Sequence, residues 1–254
     1  VKPVRQTGVA LLPAASSLAM ARWQDPSDDA AEAFRLLRAG LRSLKPPTTV
    51  VVISPGVGEG KTTVCVNLAI GLAQIGRKVL LIDADLRRPA IHRHLEVPVT
   101  PGLSDLLQTP ISDAARFDDL VAACTHRPAA TPGLSVIAGG SRTSQPGDLL
   151  ESPRLGLLIA AQRSQYDVII VDGPPALAYA DAVALGSLAD GVIIVVDPRR
   201  TPRRAAQQVV AMLRHARIPI LGLVANRTTS PDKPSYSRYQ TVADPTTGPA
   251  EVSR

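Results

Sequence analysis

The sequence predicts a doubly wound α/β domain, a mostly parallel sheet with helices on both faces. Three observations lead there. Short aliphatic runs alternate with helix-like segments from residue 49 to residue 225. The runs are continuous rather than alternately polar, as in strands buried on both faces. The first of them, TVVVI at 49–53, opens into the decapeptide SPGVGEGKTT at 54–63 and then a helical run. Strand, Gly-rich turn, Gly-Lys-Thr and helix is the context of a phosphate-binding loop.

The elements follow in order. Residues 1–27 are rich in Pro, Ala and Ser with weak periodicity, and read as a flexible or extended N-terminal segment. In 28–41, Ala33, Leu36, Leu37 and Leu41 recur at helical spacing, and Asp28 or Asp29 is placed to cap the helix. Strand 49–54 leads to helix 61–75, with Gly76 where a helix-ending glycine belongs. Strand 79–83 follows. The mixed stretch 86–132 holds short helices near 103–107 and 114–123. Then come strand 134–137, helix 153–164, strand 168–172, helix 180–189, strand 191–196, helix 203–216 and strand 218–225. Residues 228–254 are Thr, Ser, Pro, Asp and Tyr with almost no aliphatic content. They have too little to bury against the entropy of ordering. The expected organisation is a folded domain over 28–227 between two flexible segments.

Each residue type in the decapeptide has a task. Glycines let backbone N–H groups crowd a polyphosphate without Cβ clashes. The helix N-terminus adds free donors and the positive end of a dipole. Lys61 can reach the β- and γ-phosphates, and the Thr62 hydroxyl can bind Mg²⁺. Gly58, Glu59, Gly60, Lys61, Thr62 and Thr63 are therefore the candidate nucleotide-binding residues. Pro55 stands where the motif's usual first glycine would fall, so the loop is a variant.

A phosphate loop also needs carboxylates to hold Mg²⁺ and steer the nucleophile. The run LLIDADLR at 80–87 places Asp83 and Asp85 at the end of an apolar strand, and VIIVDGPP at 168–175 does the same with Asp172. Ligands bind at that edge of such sheets. A single strand-ending Asp would fit a turn cap equally well; two such strands beside the loop point to the site. Asn226 ends the last apolar run and fits either of two roles, a donor to a nucleobase edge or a turn residue.

Composition narrows the class. The chain has 254 residues, 45% apolar but only 3% aromatic, so its core is aliphatic. The net charge of +6 suits a basic soluble surface or attraction to anionic lipid. No pairing of aromatics with arginines offers a base-stacking platform, so no nucleic-acid partner is expected. Cys65 and Cys124 make no disulfide framework, and an ATP-type loop implies the cytosol. No run of about eighteen uncharged apolar residues and no signal peptide is visible. The first residue is Val1, which fits either an alternative start or a cytosolic piece of a longer protein. His92 and His94 lack metal-ligand spacing. Arg199, Arg200, Arg203 and Arg204 form a basic cluster read as exposed charge.

Taken together, the loop, the run into Asp83-Ala84-Asp85-Leu86-Arg87 and the run into Asp172-Gly173-Pro174-Pro175 resemble the Walker A, A′ and B boxes of the bacterial protein-tyrosine kinases, deviant-Walker P-loop NTPases of capsular and exopolysaccharide synthesis. Glu32-x-x-Arg35-x-x-Arg38 resembles their ring-assembly helix, and QPGDLLES at 145–152 their Pro-Asn-Pro-x-Glu-Leu-Leu segment. The similarity spans about residues 30–227.

The resemblance implies an ATP- and Mg²⁺-dependent tyrosine autokinase in which Lys61 and Thr62 bind phosphate and Mg²⁺. Asp83 would take the proton of the attacking tyrosine, while Asp85 and Asp172 organise the metal. It implies Glu32, Arg35 and Arg38 in a ring-like homo-oligomer, although Glu32 and Arg35 also fit a plain i,i+3 surface pair. Tyr236 and Tyr239 in the tail would be phosphorylated between neighbours, or else are spacer residues. A membrane-embedded activator or polysaccharide co-polymerase, fused or separate, would hold the domain at the inner face of the plasma membrane. The alternative relatives, Par/Min-type partition ATPases, usually carry a signature lysine where this chain has Gly56. A catalytically weak assembly protein or a passive scaffold would share the loop without the transfer.

Overall fold

The computed structural model of the chain describes residues 10–13, 29–41, 46–110 and 114–228. Its centre is β2 (Thr48–Ser54), the strand that feeds the glycine-rich loop. The other strands are β1 (Ala10–Pro13), β3 (Val79–Asp83), β4 (Thr125–His126), β5 (Leu134–Ile137), β6 (Val168–Pro175), β7 (Gly191–Val196) and β8 (Ile220–Thr228). Among the described residues they form one sheet in the order β1-β8-β7-β2-β6-β3-β5-β4. Pairing is parallel throughout, except that β4 runs antiparallel to β5 at the edge.

Successive strand residues point to opposite faces, and because both faces are covered the strands need be apolar at every position. Val50 and Val52 of β2, Val79 and Leu81 of β3 and Ile193 and Val195 of β7 pack with α1 (Asp29–Leu41), α2 (Lys61–Ala73) and α3 (Ile91–Leu95). Val51 and Ile53, Leu80 and Ile82, and Val192 and Ile194 face the other way. They meet α4 (Leu103–Gln108), α5 (Ala114–Cys124), α6 (Pro146–Glu151), α7 (Pro153–Gln162), α8 (Asp181–Ser187) and α9 (Arg203–His215). The predicted two-faced, mostly parallel architecture is the one observed. α2, apolar nearly all round, lies between the sheet and α1. Gly76 ends its last turn with φ +83°, and its N–H reaches the Ala73 carbonyl at 2.9 Å.

The structure corrects the expected division of the chain. Residues 10–13, assigned to the flexible segment, add β1 to the sheet beside β8, Ala10 against Val224 and Leu11 against Ala225. A four-residue strand has no readable period of its own, and an existing edge supplies its partners. The remainder of 1–27 and the tail 229–254 lie outside the described residues. The face of α1 is also shifted. Phe34 is buried, whereas Leu36 is 64% exposed, because the buried stripe runs through Ala33, Phe34, Leu37 and Leu41. β8 runs past the expected end at Ala225 to Thr228. The short elements α3, α6 and β4 carried no sequence signal of their own. None of the described helices is long and apolar enough to cross a membrane.

Leu80, fully buried in β3, tests the aliphatic core. Leu80→Ala is expected to lower the unfolding free energy in urea by about 2–5 kcal/mol. Leu157→Ala, at a position 62% exposed, should stay within about 0.5 kcal/mol.

Candidate active site

Parallel strands all present their C-terminal ends on one rim, and the strand order sets who meets whom there. β6 lies between β2 and β3. Asp83, the last residue of β3, is the register partner of Asp172 in β6, and both have no exposed surface. Two carboxylates read from distant runs thus stand side by side. The loop leaving β2 brings Lys61 and Thr62, at the start of α2, to the same place. The Lys61 ammonium is 3.3 Å from Asp85 Oδ2, and the Thr62 hydroxyl donates to Asp172 Oδ2 at 2.6 Å.

The carboxylates differ in their partners. Asp83 Oδ2 accepts the backbone N–H groups of Ala90 (2.9 Å) and Ile91 (3.0 Å), anchoring the loop after β3. Asp85 Oδ1 accepts the N–H of Arg88 at 3.2 Å. Asp83 Oδ1 and Asp172 Oδ1 are buried without a hydrogen-bond partner. Burial, then the neighbouring Asp172, pushes the Asp83 carboxyl up to about 8. Burial also raises Asp172, against the pull of Lys61 and Thr62. At Lys61, burial works against the charge, but Asp172 and Asp85 outweigh it and raise its pKa, so the ammonium is kept.

The glycine loop is framed from its other side by β7 and β8. Gly60 has φ +93° and begins α2; a Cβ there would lie 2.1 Å from Asn226 Nδ2. Asn226 donates Nδ2–H to the Glu59 carbonyl at 2.9 Å, while its Oδ1 accepts the N–H of Arg227. The Glu59 carboxylate is buried. It accepts the N–H of Gly56 at 2.9 Å and the Thr201 hydroxyl, so Glu59 offers a ligand its backbone rather than its side chain. Thr63, half-buried, holds Asn67 through its carbonyl. Asp197, the last buried residue at the end of β7, binds Arg199 and Arg227. On the acidic side, Arg87 pairs with Asp181 and lies 3.8 Å from the centre of the Tyr179 ring.

The residues fit a Mg²⁺-nucleotide. Among the described residues no three His, Cys, Asp or Glu side chains form a ready metal cage, but Mg²⁺ takes one or two carboxylates and completes its shell with phosphate and water. The Thr62 hydroxyl and the partnerless Asp172 Oδ1 are donors of that kind. Lys61, Thr62, Asp83, Asp85 and Asp172 therefore come together, and Asn226 joins them as part of the loop frame. Glu32, Arg35 and Arg38 lie elsewhere, on α1. Glu32 and Arg35 form an exposed pair at 2.9 Å, and Arg38 Nη1 donates to the Gly71 carbonyl at 2.8 Å. Tyr236 and Tyr239 are outside the described residues. Sequence reading passed over Asp197, Thr201 and Arg227. The signal was present for the first: VIIVVD at 192–197 repeats the pattern of an apolar run ending in Asp.

Two outcomes follow. Gly60→Ala should abolish ADP binding in calorimetry, since both the backbone angle and Asn226 oppose a side chain. Between an unfolded carboxyl near 4 and the folded value of about 8, folded Asp83 keeps a proton that the unfolded chain has lost. Its contribution to stability is therefore complete below pH ~4 and is lost as pH rises toward about 8. Asp83→Asn should flatten that decline in urea midpoints measured without nucleotide.

Comparison with known proteins agrees with this geometry. Residues 46–240 match the family described as "ParA: NUBPL iron-transfer P-loop NTPase". The chain is 36% identical over 204 residues to EpsB of Ralstonia solanacearum, covering 79% of this chain but 26% of EpsB. It is therefore similar to about a quarter of that longer protein. It is 32% identical over 223 residues to the tyrosine-protein kinase YwqD of Bacillus subtilis, covering 85% of this chain and 89% of YwqD. The kinase domain of the Escherichia coli tyrosine kinase ETK superposes with a TM-score of 0.76 at 27% identity, over 89% of this chain and 94% of that one. A phosphate loop, two strand-ending aspartates on one rim and a match along nearly all of YwqD place the chain in the bacterial protein-tyrosine kinase family of P-loop NTPases.

Proposed function

We propose that this domain is an ATP- and Mg²⁺-dependent protein-tyrosine autokinase that regulates the synthesis and export of a capsular polysaccharide or exopolysaccharide. The observation carrying the proposal is the register pairing of Asp83 with Asp172, which sets two buried carboxylates against Lys61, Thr62 and Asp85. The loop N–H groups and Lys61 would hold the phosphates of ATP. Asn226 keeps a second Nδ2 proton for a nucleobase edge. Thr62, Asp85 and Asp172 would hold Mg²⁺, which supplies positive charge at the transferring phosphoryl group.

The tyrosine Oη then bonds to the γ-phosphorus, the bond to the β–γ bridging oxygen breaks, and ADP leaves. Asp83 takes the phenolic proton. Its Oδ2 is committed to Ala90 and Ile91, which leaves Oδ1 for that task. The proton that nucleotide-free Asp83 holds near neutral pH would leave first, favoured by the positive charge of Mg²⁺ held beside it. A carboxylate of raised proton affinity suits a phenol whose pKa is near 10.

Tyr236 and Tyr239 are the proposed acceptors, presented to a neighbouring copy. The α1 surface with Glu32, Arg35 and Arg38 is the proposed contact of a ring-like homo-oligomer, and its exposed Leu36 supports an apolar component. A membrane-embedded activator or co-polymerase, fused or separate, would place the domain at the cytoplasmic face of the membrane. The greater length of EpsB supports that arrangement. The match to the ParA-type family favours a second reading, a nucleotide-switched assembly ATPase that passes the phosphate to water.

One experiment separates these. The purified chain is incubated with ATP·Mg²⁺, alone and with a matched membrane activator, and modified residues are mapped by mass spectrometry. The expected label is on Tyr236 or Tyr239 and is lost in Lys61→Ala. Asp83→Asn should slow labelling by about 100-fold or more while ADP still binds. Phosphate release without tyrosine label selects the ATPase. No label with the activator present ends the kinase proposal.

A further inference from the structure

Arg227 has φ +58°, in the left-handed region that residues bearing a side chain enter only under constraint. The constraint is visible. Its Nη1 donates to the Gly58 carbonyl at 2.8 Å and to Asp197 Oδ2 at 3.1 Å. Asp197 is fully buried, and its Oδ1 accepts both the backbone N–H (3.1 Å) and Nε–H (3.3 Å) of Arg199. The carboxylate that aims Arg227 through Oδ2 is thus itself fixed through Oδ1.

The target matters as much as the aim. A loop that turns consecutive N–H groups inward toward an anion must turn the carbonyls between them outward. Two successive carbonyls of this loop, those of Gly58 and Glu59, are received by Arg227 and Asn226. Gly58 itself sits at φ +79°, where no side-chain preference holds the peptide orientation. Without a partner outside the loop, the Gly58 peptide is free to rotate and to turn a carbonyl toward the phosphates.

We infer that Arg227 is a positioning residue for nucleotide binding: from a left-handed backbone it ties the Gly58 carbonyl to Asp197 and holds the glycine loop with its donors inward. The inference rests on the nucleotide reading of the loop proposed above. It adds to that reading a residue that touches no ligand and acts through the loop.

The backbone angle supplies a clean test. Glycine tolerates φ +58°, so Arg227→Gly deletes the guanidinium while relieving the strain. Two quantities are measured for each protein, the urea midpoint without nucleotide and the dissociation constant for ADP·Mg²⁺ by calorimetry. In Arg227→Gly the dissociation constant is expected to rise about tenfold, as for loss of a charged hydrogen bond, with the midpoint unchanged or raised. Arg227→Lys, keeping one charged donor, should return binding to within about threefold of the parent chain.

ADP binding at parental strength in Arg227→Gly overturns the inference. So does a loss of binding that falls in step with the urea midpoint and is not recovered by lysine, which would mark a merely structural role. If the parent chain binds no ADP, the phosphate-loop reading fails first and this one with it; parental binding with unaffected variants removes the clamp alone.

Discussion

Two carboxylates buried side by side at the rim of an aliphatic sheet are the constraint around which the rest of the domain is arranged. A carboxylate out of water is unfavourable unless it is paired or hydrogen-bonded. Asp83 and Asp172 are neither fully paired nor fully bonded, since each keeps one oxygen without a partner. Lys61 is the counter-charge, and its position depends on the glycine loop that delivers it. Asp83 in turn fixes the loop after β3 through Ala90 and Ile91, and that loop carries Asp85 back to Lys61. Strand ends, loop and helix start are therefore mutually dependent. The stability that tolerates this arrangement comes from the sheet, whose strands are apolar on both faces over most of their length.

The order β8-β7-β2-β6-β3 divides the labour around the loop. On one flank, β6 and β3 supply the acids. On the other, β7, β8 and the turn after β7 supply Asn226 and Arg227 to the loop's carbonyls, Thr201 to the Glu59 carboxylate and Asp197 to Arg227, and none of them adds an acid to the centre. β2 lies between the two groups, so the loop is held by a frame on one side and faces its chemistry on the other. An open α/β sheet offers such a crevice where successive connections depart to opposite sides.

The α1 helix shows how a motif divides on folding. Glu32, Arg35 and Arg38 recur every three residues, yet they do different things in this chain. Glu32 and Arg35 pair on the surface, while Arg38 crosses to the Gly71 carbonyl of α2 and so helps to seat the helix against the domain. The likeness to the tyrosine-protein kinase YwqD over 89% of its length fits a domain whose loop and acidic strand ends meet on one rim.

Much of this was legible in the residues themselves. Continuous aliphatic runs announced a sheet covered on both faces, because strands buried twice have no polar side to show. The glycines, Lys61 and Thr62 announced the loop, since an anion cradle tolerates few other residue types, and Asp83, Asp85 and Asp172 stood out as charges ending apolar runs. Those signals are local, each written within about ten residues. Sequence could not pair Asp83 with Asp172, bury the Glu59 carboxylate, bring β1 to the edge or turn Arg227 into the left-handed region to reach Gly58. Those are decided by strand order and by contacts between segments far apart in the chain, 169 residues for Arg227 and Gly58 and more for β1 and β8, and only the packed sheet brings such segments within reach of a hydrogen bond.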